Sequence, residues 1–261
     1  MPIVSVYCKK GGVGKTTFIG YLAHYQATLG KTVLLISADD QNSVFKIFGA
    51  EKFVEEHDND FLENLLVGEK QPEDVVFEVR DGMYLMKTLN TDKLSIELTL
   101  RRSEEKHIKT LIESFENYFD YIFIDFPPSS SRLTEILLEI SDQILVVVGL
   151  DALGVEGYKN TIQYFVDLDI DINKISYIIP IGYHPVKIVP NNCLKELKKM
   201  AVDYTPKAVV TAPIKEKSEI KNLQAEGVSI FDEAPMKDRF HKDNRDAVRA
   251  DMLGVFKGIK L

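Results

Sequence analysis

Residues 8–17 read Cys8-Lys9-Lys10-Gly11-Gly12-Val13-Gly14-Lys15-Thr16-Thr17. Lysines on both sides of three glycines, closed by two threonines, are the residue types that hold phosphate. Gly11, Gly12 and Gly14 allow backbone conformations that a Cβ would forbid, so successive N–H groups can converge on one anion. The N-terminus of a following helix adds positive potential. Lys15 can place a point charge on the outer phosphates, and the Thr16 hydroxyl can ligate Mg²⁺. Val13 and Thr17 complete the stretch in contact with nucleotide. The run fits the pattern G-x-x-x-x-G-K-[ST] from Gly14 onward, but the first glycine of that pattern is here Lys9. Two carboxylates extend the chemistry. Asp125 ends the apolar run Tyr121–Ile124, the arrangement in which a carboxylate holds Mg²⁺ through water. Asp39 follows the apolar run Thr32–Ile36, at the strand end where open α/β sheets bind ligands. Helix capping and a turn are the alternative role for Asp39 and Asp40.

These groups need elements to hold them. Ile3–Tyr7 reads as a buried strand and Thr16–Leu29 as a helix ended by Gly30; with Thr32–Ile36 they form a βαβ unit with a parallel pair. Residues 51–82 are polar, with one short amphipathic helix near Phe61–Val67. Met83–Met86 reads as a strand and Lys93–Phe119 as a long helical stretch. Further on come a helix over Ser131–Ile140, a near-continuous apolar strand at Gln143–Leu150 and a helix over Gly154–Leu168. Strands at Ile175–Ile181 and Lys207–Thr211 and a terminal helix, roughly Met236–Phe256, complete the chain. The alternation of strands and helices predicts one α/β domain over residues 1–261, a mostly parallel twisted sheet of about seven or eight strands with helices on both faces.

Composition narrows the classes. With 45% hydrophobic and 28% charged residues the chain has the balance of a soluble globular protein. Its longest apolar run, near Ile144–Leu150, is too short to span a bilayer. The lysines follow the apolar start instead of preceding it, the reverse of a signal peptide. Two cysteines make no disulfide framework, so a reducing cytoplasm is expected. Net charge is −8, which excludes a protein coated with positive charge for nucleic acid. The charge is uneven: residues 1–186 hold 17 Lys/Arg against 29 Asp/Glu, and residues 187–261 hold 15 against 11. A basic C-terminal third on an acidic body is either a surface for an anionic partner or a solvated helical face.

Lys10-Gly11-Gly12-Val13-Gly14-Lys15-Thr16 resembles the deviant Walker A loop of the ParA/MinD group of P-loop ATPases. Three more places match: Asp39 with Gln41 and Asn42, Asp125 with Pro127-Pro128, and Ala152–Gly157. The segment Ile214–Ile230 resembles the family stretch after its last strand. Pro127-Pro128 is closer to ParA proteins than to MinD, and a start at the first strand matches the short, Soj-like ParA class. Ser37, Asp40 and Ser43 depart from the family pattern around Asp39.

The resemblance implies an ATPase that binds ATP with Mg²⁺ and forms an ATP-dependent homodimer. It implies that Lys10 reaches the phosphates held by the other subunit, that Asp39 orients the attacking water and helps the metal shell, and that Thr16 and Asp125 serve the metal. Pro213 and Ile214 would lie against the adenine. It further implies binding of non-specific double-stranded DNA, with Lys187, Lys215, Lys217 and Lys221 as DNA contacts, a ParB-like centromere-binding partner that stimulates slow hydrolysis, and a cytoplasmic, nucleoid-associated location. Three other readings remain. A MinD-like positioning ATPase would lay Met252–Leu261 on a membrane. An iron–sulphur reductase would need thiolates near the nucleotide, where only Cys8 lies. A binding-only switch would hold ATP with little turnover.

Overall fold

The computed structural model describes residues 2–55, 71–88, 91–100, 103–216, 218–233 and 239–261. The sequence's short helix near Phe61–Val67, Lys217 and the start of the terminal helix at Met236 lie outside them. Among the described residues nine strands form one sheet: β1 (Ile3–Tyr7), β2 (Val33–Ser37), β3 (Val76–Arg80), β4 (Met83–Met86), β5 (Tyr121–Asp125), β6 (Gln143–Gly149), β7 (Ile175–Tyr183), β8 (Val209–Val210) and β9 (Ile214–Lys215). The order is β3-β4-β2-β5-β1-β6-β7-β8, with β9 also paired to β7. Every pair is parallel except β3–β4. The helices are α1 (Lys15–Thr28), α2 (Ser43–Ile47), α3 (Lys52–Glu55), α4 (Pro72–Val75), α5 (Thr91–Leu100), α6 (Ser103–Ser114), α7 (Arg132–Ile140), α8 (Ala152–Asp167), α9 (Ile188–Tyr204), α10 (Glu219–Ala225) and α11 (Arg239–Phe256).

The central strands are apolar throughout because both faces are covered. Alternate residues divide between two cores. Ile3, Tyr7, Leu34, Ile36, Ile122 and Ile124 pack with residues of α5 to α9 on one face. Val4, Val6, Val33, Leu35 and Phe123 pack with α1, α2, α10 and α11 on the other. Strands β5 and β6 lie on opposite sides of β1, so the loop after β1 opens where neighbouring connections diverge. That crevice at the carboxyl ends of the strands is where such sheets bind ligands. Register then brings Asp125 beside both Val6 and Ser37, so the two carboxylate-bearing strand ends lie next to each other on one side of the glycine loop.

Among the described residues the mostly parallel sheet has nine strands where about seven or eight were expected; residues 76–86 form an antiparallel hairpin whose first strand lies in a segment expected to be polar, and β9 is a two-residue strand. Asp81-Gly82 is the turn signal for that hairpin, and Gly82 takes φ +69° with the Lys31 carbonyl 3.0 Å from where its Cβ would sit. The long helical stretch at 93–119 divides: Leu94 and Leu98 belong to α5, and Ile108, Ile112 and Phe115 belong to α6 and the 3₁₀ turn after it. Helix α9 covers residues to which the periodicity reading gave no element.

Candidate nucleotide-binding site

The loop between β1 and α1 has the conformation its glycines make possible. Gly12 and Gly14 sit at φ +72° and +88°, the left-handed region that a side chain strains. Gly14 is the residue on which α1 begins. Lys15 is buried, and its ammonium donates to the carbonyls of Lys10 at 3.1 Å and Cys8 at 3.3 Å. Burial pulls its pKa down, opposed by the negative potential of Asp125 and Asp39. Lys10 is half-buried at the lip of the loop. Its Cβ rests on Gly157 of α8, where any added Cβ would be 2.8 Å away. Gly154, one turn earlier, approaches Gly149 more closely still: a Cβ there would meet the Gly149 carbonyl oxygen at 2.1 Å. Asp151 caps α8 by accepting from the Gly154 N–H at 2.7 Å. The glycines of Ala152–Gly157 thus seat α8 against the strand end and the loop.

Asp125 is only 1% exposed. Burial raises its pKa to about 7, against the opposing pull of the Thr16 hydroxyl and Lys15 and with a further push from Asp39. One oxygen, Oδ1, is buried with no hydrogen-bond partner, a costly state for a carboxylate unless a cation lies nearby. Thr16, Asp125 and Asp39 are all hard oxygen donors. Among the described residues no group of three or more His, Cys, Asp or Glu forms a metal cage. A few protein oxygens completed by water and phosphate is the Mg²⁺ mode, and the residues fit it.

Asp39 is half-buried and accepts from the Gln41 N–H at 3.0 Å, while Ser37 Oγ donates to the Asp39 carbonyl at 3.0 Å. Behind it, Asn42 sits at φ +46° and forms a clasp with Thr88: its amide donates to the Thr88 carbonyl at 2.6 Å, and its Oδ1 accepts the Thr88 N–H at 3.1 Å. Thr88, two residues past β4, escaped sequence reasoning because nothing in its own surroundings marks it; only the parallel pairing of β2 and β4 brings it to Asn42.

A cavity of about 600 Å³ opens on this loop, lined by Lys10, Gly11, Gly12, Val13, Gly14 and Thr17. Its far walls are Gly149–Asp151, Ile181, Gly182, Lys187, Val189, Pro190, Ile214, Lys215, Glu216, Ile220, Lys221, Gln224 and Met252. That size suits a nucleotide. Ile214 lines it and Pro213 does not. Thr16 faces an adjoining depression with Ser43, Lys46 and Ile47. Lys187, Lys215 and Lys221, expected to touch DNA, are among the residues lining this cavity. Two of them have acidic partners: Lys187 meets Glu216 at 3.7 Å and Lys215 meets Asp251 at 3.2 Å. Cys8 and Cys193 are free and buried.

Comparison with known proteins agrees with this geometry. A family model described as AAA domain matches residues 1–176. The sporulation initiation inhibitor protein Soj of Bacillus subtilis is 32% identical over 163 residues, 62% of this chain and 63% of that one. The chromosome-partitioning ATPase Soj of Treponema pallidum is 26% identical over 157 residues, 59% and 60% of the two chains. Among solved structures, the McdA(D38A)–ATP complex of Cyanothece superposes with a TM-score of 0.80 at 19% identity, covering 100% of this chain and 98% of that one. The chain belongs to the AAA domain family and is a ParA-type P-loop ATPase.

Proposed function

We propose that this protein is a partition or positioning ATPase whose ATP-bound homodimer holds non-specific double-stranded DNA and is released from it by hydrolysis. The observation that carries the reading is Lys10: a second lysine at the open lip of a complete phosphate loop, half-buried, with its stem seated on α8. A lysine there serves a phosphate that approaches from outside its own protomer. Leu153, Val186, Ile188 and Val189, all more than half exposed, flank the same mouth and supply apolar surface for a second copy to cover.

In the mechanism, the loop amides, Lys15 and Thr17 hold the phosphates of ATP, and Ile214 lies against the base. Bound Mg²⁺, served by Thr16, Asp125 and Asp39, would neutralise charge developing on the phosphates. Asp39 orients the attacking water and Lys10 of the other subunit stabilises the transition state, so turnover requires the dimer. A ParB-like partner would accelerate it, and the protein would reside in the cytoplasm on the nucleoid.

The membrane-bound alternative needs the apolar side chains of residues 252–261 at a lipid surface. Met252, Val255, Phe256 and Ile259 are buried in the core, and the Lys260 N–H donates to Tyr177 Oη at 2.9 Å, which favours the DNA reading. Among the described residues no helix is long and apolar enough to cross a membrane. The test is binding of a random-sequence duplex with ATP, with ADP, and with Lys10→Ala plus ATP. Binding confined to wild type with ATP is expected; equal binding with ADP would overturn the reading.

A further inference from the structure

Of the lysines expected on DNA, Lys187, Lys215 and Lys221 line the nucleotide cavity and Lys217 lies outside the described residues. Helix α9 offers a different surface. Its buried side is Pro190, Cys193, Leu197, Met200 and Ala201. At 100° per residue the opposite side carries Ile188, Asn192, Lys195, Lys199 and Val202, with Lys198 beside them. Lys195, Lys198 and Lys199 are exposed. The one glutamate of this helix, Glu196, pairs with Lys159 of α8 at 3.7 Å, and no carboxylate among the described residues lies within ion-pair distance of these three lysines.

We infer that the outward face of α9, through Lys195, Lys198 and Lys199, is the surface on which this protein holds the phosphate backbone of double-stranded DNA. The inference rests on the DNA reading above and assigns it a location. Three features carry it. First, these ammonium groups have no ion-pair partner among the described residues and lie in the basic C-terminal third of a chain of net charge −8, so this face attracts an anionic polymer that the acidic body repels. Second, they lie within two turns of one rigid helix and present only point charges, which suits contact with phosphates and not with base edges. Third, α9 begins at the nucleotide cavity: its cap Lys187 and its first-turn residues Val189 and Pro190 line that cavity. A second copy closing over the mouth would set the two stripes on either side of the seam, doubling the site when ATP is bound. The exposed apolar residues Ile188 and Val202 lie at the two ends of this face and are separated by the lysines, so the face presents charge and no continuous apolar strip for a membrane to take up.

The experiment measures binding of a random-sequence duplex with ATP over a salt series, for wild type, for Lys195→Gln/Lys198→Gln/Lys199→Gln and for the corresponding Glu triple. A control, Lys106→Glu/Lys109→Glu/Lys257→Glu, makes the same change in net charge away from α9. ATP-dependent dimerisation and the thermal midpoint are followed in each. With six contacts per dimer, the Gln triple should flatten the log–log salt slope by about 5 units, and the Glu triple should weaken binding at least ~100-fold near 0.1 M salt. Both triples should keep dimerisation and midpoint. Undiminished binding by the α9 triples, or an equal loss in the control, would overturn the assignment while leaving the DNA reading intact. Failure of wild type to bind the duplex at any salt would overturn the DNA reading and the assignment with it. Lysine-dependent binding to phosphatidylglycerol vesicles without binding to the duplex would also overturn it and give the face to lipid.

Discussion

At the scale of single residues, Asp125 shows how the site is built under tension. Its carboxylate is buried and one oxygen is unpartnered, so the nucleotide-free protein carries an electrostatic cost that a bound cation relieves. Asp125→Asn should therefore weaken Mg²⁺ affinity in the nucleotide complex by about 10- to 100-fold, the usual effect of losing a group that acts on a metal through its shell. The same substitution should leave the nucleotide-free protein as stable or more so, read as an unchanged or higher melting temperature without Mg²⁺. A lower midpoint together with unchanged Mg²⁺ affinity would show that Asp125 serves packing alone. This residue was legible from sequence because a run of β-branched and aromatic residues ending in Asp is a local signal. The loop at 10–17 was legible for the same reason. Thr88 was not, since its partnership with Asn42 exists only across two strands far apart in the chain.

At the scale of elements, two glycines let the start of α8 approach the end of β6, while Val155, Tyr158, Ile162 and Phe165 bury its face in the core. Gly154 has the Gly149 carbonyl oxygen where its Cβ would go, and Gly157 has the Cβ of Lys10. Gly154→Ala should force the helix off the strand end and lower stability by about 1–3 kcal/mol, the usual cost of overpacking, measured by denaturant unfolding. Gly157→Ala should displace the Lys10 stem and slow steady-state ATP hydrolysis more than it weakens binding of ADP; equal effects on the two would contradict a role centred on Lys10. The sequence signalled both glycines through the family-like stretch Ala152–Gly157, but not the reason for them, which is a backbone approach. Helix α9 shows the opposite failure. Its buried positions Cys193, Leu197, Met200 and Ala201 keep helical spacing, yet Pro190, two asparagines and a run of lysines obscure it. Pro190 is tolerated because it falls in the first turn, where its missing N–H would have no partner within the helix.

At the scale of the whole molecule, a buried polar network ties the nucleotide-side helix to the C-terminal segments. His24 of α1 shares a 2.7 Å hydrogen bond with Ser229 Oγ and lies 3.9 Å from Asp232. Asp232 is gripped through both oxygens by Arg80 of β3 at 2.8 Å. Burial, with the added repulsion of Arg80 and Arg249, outweighs the attraction of Asp232 and lowers the His24 pKa from its ordinary 6.5 to about 4. The unfolded chain therefore binds a proton that the folded protein refuses over this window. This contribution to stability is complete above about pH 6.5 and is lost as pH falls toward about 4, with a limit of about 3 kcal/mol. Replacing His24 with Gln should remove that part of the acid destabilisation, seen as a smaller drop in melting temperature between pH 7 and pH 4.5 than in wild type. An identical drop would show that carboxylates alone govern the acid limb.

The central claim is that each active site is completed by Lys10 of the other subunit, and mixing two inactive variants tests it most directly. Asp39→Ala keeps Lys10 but cannot orient water, and Lys10→Ala keeps Asp39 but cannot serve its partner. In mixed dimers one site regains both groups, so an equimolar mixture should recover roughly a quarter of the wild-type ATPase rate while either variant alone stays near background. A mixture no more active than its components, with mixed dimers shown to form, would contradict the account and place Lys10 in its own subunit's site.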